Sequence, residues 1–490
     1  MNPLLLTDGY KVDHRRQYPT GTTLVYSNWT PRKSRIEGID EIVFFGLQYF
    51  IKKYILEDFE NHFFKQPKDK VIKEYSRRIN NYLGENKVGT KHIEDLHDLG
   101  YIPMVIKALP EGVSVPVRVP MFTMYNTKPE FFWLTNYFET LLSAVVWMPC
   151  TSASIANQYR VILTKFAAET SSMPEFVNWQ GHDFSMRGMA GIEAAVSSAA
   201  GHLLSFTGTD TIPAINFLEN YYNANSDTEL IGGSVAATEH SVMCMGTIED
   251  EIGTFRRLIC EVYPKGILSI VSDTWDLWNV LTDYLPKLKS EIINREGKVV
   301  IRPDSGDPVD IICGNPNGKN EVEKKGVIEL LWDVFGGTTN TKGYKELIPQ
   351  IGAIYGDSIT IDRATQICER LKQKGFASTN VVLGIGSYTY QYNTRDTFGF
   401  AMKATYGEVN GEGREIFKDP VTDDGTKKSA KGLMKIILEN GAYKLIDQAT
   451  WEQEKQGELK EVFRDGKLII DQTLNEIRER LKNTVSSLVL

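Results

Sequence analysis

Seven short apolar runs in this chain each end in a cluster of chemically capable residues, and that repetition restricts the fold more than any other feature. His182-Asp183-Phe184 closes one such run and Gly208-Thr209-Asp210 another. Ser234 to His240 follows Glu229-Leu-Ile-Gly-Gly, Ser272-Asp273 follows Ile267 to Val271, and Arg302-Pro303-Asp304-Ser305-Gly306 follows Val299-Val300-Ile301. Gly356-Asp357-Ser358 follows Gly352 to Tyr355, and Gly384-Ile385-Gly386-Ser387 follows Val381-Val382-Leu383. Buried parallel strands read as continuous apolar runs, and a β/α barrel gathers its active site at their carboxyl ends. Seven such ends predict one ring of strands around one site.

Helical patterns at Gly191–Leu204, Ala214–Tyr222, Asp250–Val262, Thr274–Asp283 and Asp362–Lys374 separate the runs, as β-α-β units require. Uneven spacing points to an irregular β/α barrel with insertions over 151–394. An open doubly wound sheet is the alternative, but so many polar strand ends suit a ring better than a single crevice. Residues 1–150 mix strand-like stretches (Thr23–Ser27, Met104–Val117) with a helix at Phe132–Val146, and Ser152–Glu169 reads as the next helix. After 395 the chain turns polar and turn-rich, with strands at Leu433–Leu438 and Tyr443–Ile446 and a closing helix at Leu474–Leu481. The expectation is a second α+β domain in which segment 395–490 packs with segment 1–150.

A net charge of −8 argues against nucleic acid or an anionic membrane as the main partner. The five cysteines are scattered and odd in number, which suits reduced thiols in a cytoplasmic protein. Cys244, near His240, reads as a small buried residue. Met1 to Asp8 has no basic n-region, and no run approaches the ~18 apolar residues of a membrane span.

His240 is the sharpest chemical candidate, because imidazole accepts a phosphoryl group when its other nitrogen is held. Glu239 precedes it, and Asp273 at the next strand end could hold it. Arg302 and Asp304, two residues apart on extended backbone, face one side. A carboxylate there can accept from both hydroxyls of a ribose, while a guanidinium suits phosphate or a flat base edge. Gly356-Asp357 and Gly384-x-Gly386-Ser387 occupy strand ends where barrels hold phosphate on backbone N–H groups. The latter lacks the third glycine of a dinucleotide fingerprint, and no P-loop is present. Asp423-Asp424-Gly425-Thr426 has no apolar strand before it and reads as a solvated turn. Basic residues gather at Arg32-Lys33-Ser34-Arg35 and again at Arg395, Lys403, Lys418 and Lys427-Lys428, either as solvated faces or as a polyphosphate entry. No zinc-type spacing occurs; strand-end carboxylates could hold Mg²⁺ together with substrate phosphates.

Beside these features stand Leu5-Leu6-Thr7-Asp8-Gly9-Tyr10, Phe45-Gly46-Leu47-Gln48-Tyr49, Trp133-Leu134-Thr135-Asn136, His182-Asp183-Phe184-x-x-Arg187-Gly188, Glu239-His240-Ser241, Ile301 to Gly306, Thr394-Arg395-Asp396 and Phe417-Lys418-Asp419-Pro420-Val421. In these segments the chain resembles the nicotinate/nicotinamide phosphoribosyltransferase family over nearly its full length. The resemblance implies a type II phosphoribosyltransferase barrel and a homodimer with shared active sites. It also implies a reaction that joins nicotinamide to 5-phosphoribosyl-1-diphosphate. By position, Phe184 and Tyr10 of the partner subunit would sandwich the pyridine. Asp210 would accept from the carboxamide and repel nicotinic acid, with Ser234 on the same side. Arg302 would flank the base, Asp304 would bind the ribose, and Arg187, Gly356, Asp357, Gly386 and Ser387, with Arg395 and Lys403 of the partner subunit, would receive the phosphoribosyl group. Arg32, Lys418 and Lys427 would line the diphosphate or ATP side. His240 would be a phosphohistidine fed by ATP, oriented by Asp273 beside Glu239, with Mg²⁺ carried mainly on phosphates. Ser387 and Ala401 depart from the family pattern at phosphate-binding positions. The same-family rival would use nicotinic acid. A silent relative would have lost His240, Arg302 or Asp304, and a metal-dependent hydrolase would need clustered histidines.

Overall fold

A computed structural model describes residues 1–84, 87–356, 358–418 and 430–489 of the 490-residue chain. The chain divides into two compact units. One comprises Met1–Ser154, Phe217–Ala224 and Asn393–Thr484, the other Ile155–Asn216, Asn225–Tyr392 and Val485–Leu490.

The second unit holds the seven expected strands: β1 (Gly181–Asp183), β2 (Gly208–Thr209), β3 (Ala236–Ala237), β4 (Lys265–Val271), β5 (Glu296–Arg302), β6 (Ile351–Tyr355) and β7 (Val381–Ile385). All pair in parallel in the order β2-β1-β7-β6-β5-β4-β3. The two edges meet where Gly208 bridges Gly233: Thr209 N donates to Gly233 O at 3.0 Å, and Gly233 N to Thr207 O at 2.8 Å. The strands therefore follow one another around an irregular β/α barrel. Side chains alternate as a pleated strand demands. Along β5, Lys298, Val300 and Arg302 line the barrel interior, while Val299 and Ile301 on the other face are fully buried.

The helices between strands form for local reasons. In Ile361–Gln373, Thr360 caps the first turn by accepting from Arg363 N, and Ala364, Ile367, Cys368 and Leu371 make one buried stripe at helical spacing. Between β5 and β6 lies the irregularity: helices Pro308–Cys313 and Glu321–Phe335, then a hairpin pairing Gly337–Thr339 with Lys345–Leu347.

The first unit is α+β and draws on both terminal segments. Its antiparallel sheet runs Glu412–Glu415, Ala401–Val409, Thr22–Thr30, Phe122–Asn126, Met104–Ala108, Lys460–Arg464, Lys467–Leu468. Trp29 is fully buried in its core, stacked on Phe122 at 6.0 Å and Phe400 at 5.4 Å. Leu433–Glu439 and Ala442–Ala449 pair as a separate hairpin.

One expectation needs correcting. Phe132–Val146 and Ser152–Glu169 are not two helices; a single helix runs Glu139–Thr170, with Pro149 inside it. Proline removes one hydrogen bond and crowds the preceding turn. Buried Val146, Cys150, Ala153, Ala156, Tyr159 and Leu163 on either side supply packing that outweighs this local loss. Among the described residues no helix is long and apolar enough to cross a membrane.

Candidate active site

A cavity of about 510 Å³ runs through the barrel interior from near the amino ends of its strands, at Lys298, Thr379 and Asn380, to their carboxyl ends. Phe184, Asp210, Ser234 and Arg302 stand at these strand ends, while Ile267, Val300, Ile354 and Val382 line it further down. Its walls are mainly apolar, with few polar groups, the character of a small-molecule site.

Asp210, just past β2, is held from two directions. His182 Nε2 lies 2.9 Å from its Oδ1, and Ser234 Oγ donates to that same oxygen at 2.7 Å. Burial pushes this carboxyl up, but the hydrogen bonds from His182 and Ser234 and the charges of His182 and Arg302 outweigh it. Asp210 therefore titrates below the ordinary carboxylate range. The imidazole fits only because residue 208 has no side chain: a Cβ there would stand 2.6 Å from His182 Nδ1. Beneath, buried Asp183 accepts from Ser185 N and Oγ, Thr209 Oγ1 and Thr211 Oγ1, which braces the turn carrying Asp210.

His240 opens the helix His240–Met245, with Glu239 at its cap and the Ser241 hydroxyl hydrogen-bonded to the Glu239 carboxylate. The imidazole is half exposed. Its Nδ1 is 3.3 Å from Thr274 Oγ1, and its Nε2 faces Asp273 Oδ1 at 4.0 Å and Asp304 Oδ2 at 3.9 Å. Asp273 is thus near the histidine, while its hydrogen bonds go elsewhere: its Oδ2 accepts from Asp304 N at 2.9 Å and Ser305 Oγ at 2.5 Å. Arg302 Nη2 donates to Thr238 O at 2.6 Å, and its Nε is 3.8 Å from Asp304 Oδ1.

Gly356 ends β6 against Asp304; a Cβ at 356 would lie 2.3 Å from Asp304 Oδ1. Gly386 caps the short helix Ser387–Tyr390, and Arg187 is exposed on the turn after β1. Asp357 and Lys427, both expected at the site, and the turn 423–426 lie outside the described residues.

In the first unit, chain folding draws the two basic stretches together. Lys403 sits on the strand paired with Thr22–Thr30, and Arg32 just beyond that strand donates to Gly399 O at 2.8 Å. Burial lowers the Lys403 ammonium, and the charges of Arg32, Lys418 and Arg395 add to the shift against the opposing Glu139. Tyr10 is 63% exposed.

Sequence reasoning missed some of this arrangement. His182 was visible as a strand-end residue, but its bond to Asp210 depends on a neighbouring strand. Ser305, inside the Arg302–Gly306 cluster, and Thr274, next to Asp273, had no role of their own in the sequence reading, yet they contact Asp273 and His240. Cys244 is exposed, not buried; on its helix Met243 takes the buried position. Among the described residues no group of three or more His, Cys, Asp or Glu is placed to hold a metal ion.

Residues 179–467 match the nicotinate phosphoribosyltransferase (NAPRTase) family, and residues 2–104 match the N-terminal domain of nicotinamide phosphoribosyltransferase. The chain belongs to the nicotinate phosphoribosyltransferase family. Within this family it is 55% identical to a nicotinamide phosphoribosyltransferase of Acinetobacter baylyi, covering 99% of this chain and 98% of the relative. It is 37% identical to one of Mycoplasma pneumoniae, covering 88% and 94%. The fold resembles that of a nicotinate-nucleotide pyrophosphorylase from Pyrococcus furiosus, with a TM-score of 0.59, 12% identity and coverage of 100% and 97%.

Proposed function

We propose that this protein is a nicotinamide phosphoribosyltransferase, making nicotinamide mononucleotide and diphosphate from nicotinamide and 5-phosphoribosyl-1-diphosphate for NAD salvage. The observation that carries the reading is Asp210: an ionised carboxylate beside the Phe184 ring in an apolar cavity. Such a group accepts from a carboxamide NH₂ and repels a carboxylate, so it favours nicotinamide over nicotinic acid. Phe184 stacks one face of the pyridine, and Tyr10 of the partner subunit stacks the other within a homodimer that shares its sites.

The pyridine nitrogen forms a bond to C1 of the ribose as the C1–O bond breaks, and the electron pair leaves with diphosphate. Asp304 holds the ribose hydroxyls, and Arg302 flanks the base and diphosphate. Arg187, Gly356, Asp357, Gly386 and Ser387, with Arg395 and Lys403 of the partner subunit, receive the phosphoribosyl group. Arg32, Lys418 and Lys427 line the diphosphate or ATP side. Positioning and charge stabilisation account for this catalysis. One or two strand-end carboxylates such as Asp304 would hold Mg²⁺ together with the substrate phosphates, where the ion would offset phosphate charge.

ATP stimulates the reaction through His240. The γ-phosphoryl group passes to a ring nitrogen, ADP leaves, and water later releases phosphate. Asp273 and Asp304, facing Nε2 at 4.0 and 3.9 Å, support this role because carboxylates on that side bias the orientation of the ring.

The decisive test measures mononucleotide formation with Mg²⁺ and 5-phosphoribosyl-1-diphosphate, offering nicotinamide and nicotinic acid in parallel. Turnover of nicotinamide with little nicotinic acid use is expected. Preference for nicotinic acid would overturn the base assignment, and turnover of neither would overturn the activity.

A further inference from the structure

The two hydrogen-bond donors on Asp210 converge on one oxygen. His182 Nε2 and Ser234 Oγ both meet Oδ1, at 2.9 Å and 2.7 Å, and the Asp210 main chain is pinned by its N–H to Asp183 O at 3.0 Å. Of the two donors, Ser234 is exposed and His182 is buried. The imidazole is fixed on two further sides: its ring centroid is 4.4 Å from that of Phe184, and its Nδ1 edge fills the space left by the missing side chain of Gly208. His182 is thus a rigid element touching both the ring that faces the cavity and the carboxylate beside it.

We infer that His182 is a specificity-positioning residue: its Nε2–H holds Oδ1 of Asp210 and so turns Oδ2 toward the carboxamide of the base. This rests on Asp210 being the acceptor for that carboxamide. Without the imidazole donor the carboxylate is free to rotate about its Cβ–Cγ bond, held only by the exposed serine. Its Oδ2 then neither receives the carboxamide N–H in line nor stands fixed against the carboxylate of nicotinic acid. Selection between the two bases falls, although every group previously assigned to substrate contact is still present.

The test compares kcat/KM for nicotinamide with that for nicotinic acid in the full-length enzyme, for wild type, His182→Phe, His182→Gln, Asp210→Asn and the His182→Phe/Asp210→Asn double variant. Phenylalanine keeps the ring against Phe184 and removes the donor; glutamine keeps an N–H near the Nε2 position. The expected result is a roughly tenfold fall in the nicotinamide-to-nicotinate ratio for His182→Phe, the worth of one ordinary hydrogen bond. The ratio should stay within about twofold of wild type for His182→Gln, and His182→Phe should cause no further fall in the Asp210→Asn background. A His182→Phe enzyme that loses both activities in equal proportion, or an undiminished effect in the double variant, overturns the inference. If Asp210→Asn alone leaves the ratio unchanged, the base contact itself is misassigned and the inference falls with it. Should the phenylalanine variant not fold, His182→Gln decides: a folded glutamine enzyme that keeps the ratio supports the inference, and one that loses it overturns it.

Discussion

His240 Nε2 lies 4.0 Å from Asp273 Oδ1, a buried oxygen that has no hydrogen-bond partner among the described residues. A half-exposed imidazole therefore faces an uncompensated carboxylate oxygen, with Asp304 Oδ2 at 3.9 Å on the same side. That arrangement biases the orientation of the ring without holding it rigidly.

In the proposed mechanism His240 couples ATP to transfer but makes no bond to the base or ribose. His240→Ala should abolish the stimulation by ATP and leave basal transfer within a few-fold of wild type. Initial rates with and without ATP check this, and a variant lacking basal transfer as well would contradict the auxiliary role.

The pH dependence follows from the lowered titration of Asp210. Burial opposes the shift, while His182, Ser234 and Arg302 produce it. A carboxyl whose folded value is depressed contributes stability above its unfolded value, near 3.9, and loses that contribution only as pH falls through the lower folded value. Asp210 therefore stays ionised throughout the working range, and the preference for nicotinamide should be flat from about pH 8 to about pH 5.5. Ratios of kcat/KM at the two extremes provide the measurement; a collapse at the acid end would mean the carboxyl is not held down.

Gly356→Ala tests the close approach to Asp304. The added carbon would lie 2.3 Å from Asp304 Oδ1, so the carboxylate must move off the ribose position. A displacement near 1 Å costs about 100-fold in catalysis. The expected outcome is that loss in kcat/KM for 5-phosphoribosyl-1-diphosphate with a thermal midpoint little changed. Unaltered kinetics would remove Asp304 from the ribose site.

Stability in the first unit depends on a buried pair. Lys107 Nζ donates to Glu454 Oε2 at 2.7 Å and to Glu454 O at 3.2 Å, and their side chains are 9% and 1% exposed. Removing one partner leaves a buried charge alone, whereas replacing both with apolar side chains removes the desolvation cost as well. Lys107→Ala should destabilise the protein by about 3–5 kcal/mol, and Lys107→Met with Glu454→Leu should restore most of that. Denaturant unfolding of the three proteins distinguishes the two expectations.

The alternation of apolar runs with polar ends determined, from sequence alone, the barrel, its seven strands and the placing of Asp210, His240, Asp273, Arg302 and Asp304 at their ends. Burial on both faces of a parallel strand writes itself into consecutive residues, so this much is local. The tertiary structure alone decided which atoms meet. His182 and Asp210 are 28 residues apart and touch because β1 and β2 pair. Arg32 comes close enough to Lys403 to add to the lowering that burial causes because the strand before it pairs with Ala401–Val409. Pro149 lies inside a helix because packing on either side of it overrode its local preference, and Cys244 is exposed because Met243 takes the buried position on their short helix. Contacts across such separations leave no periodic trace in a single sequence, since each partner's own neighbours are indifferent to the pairing.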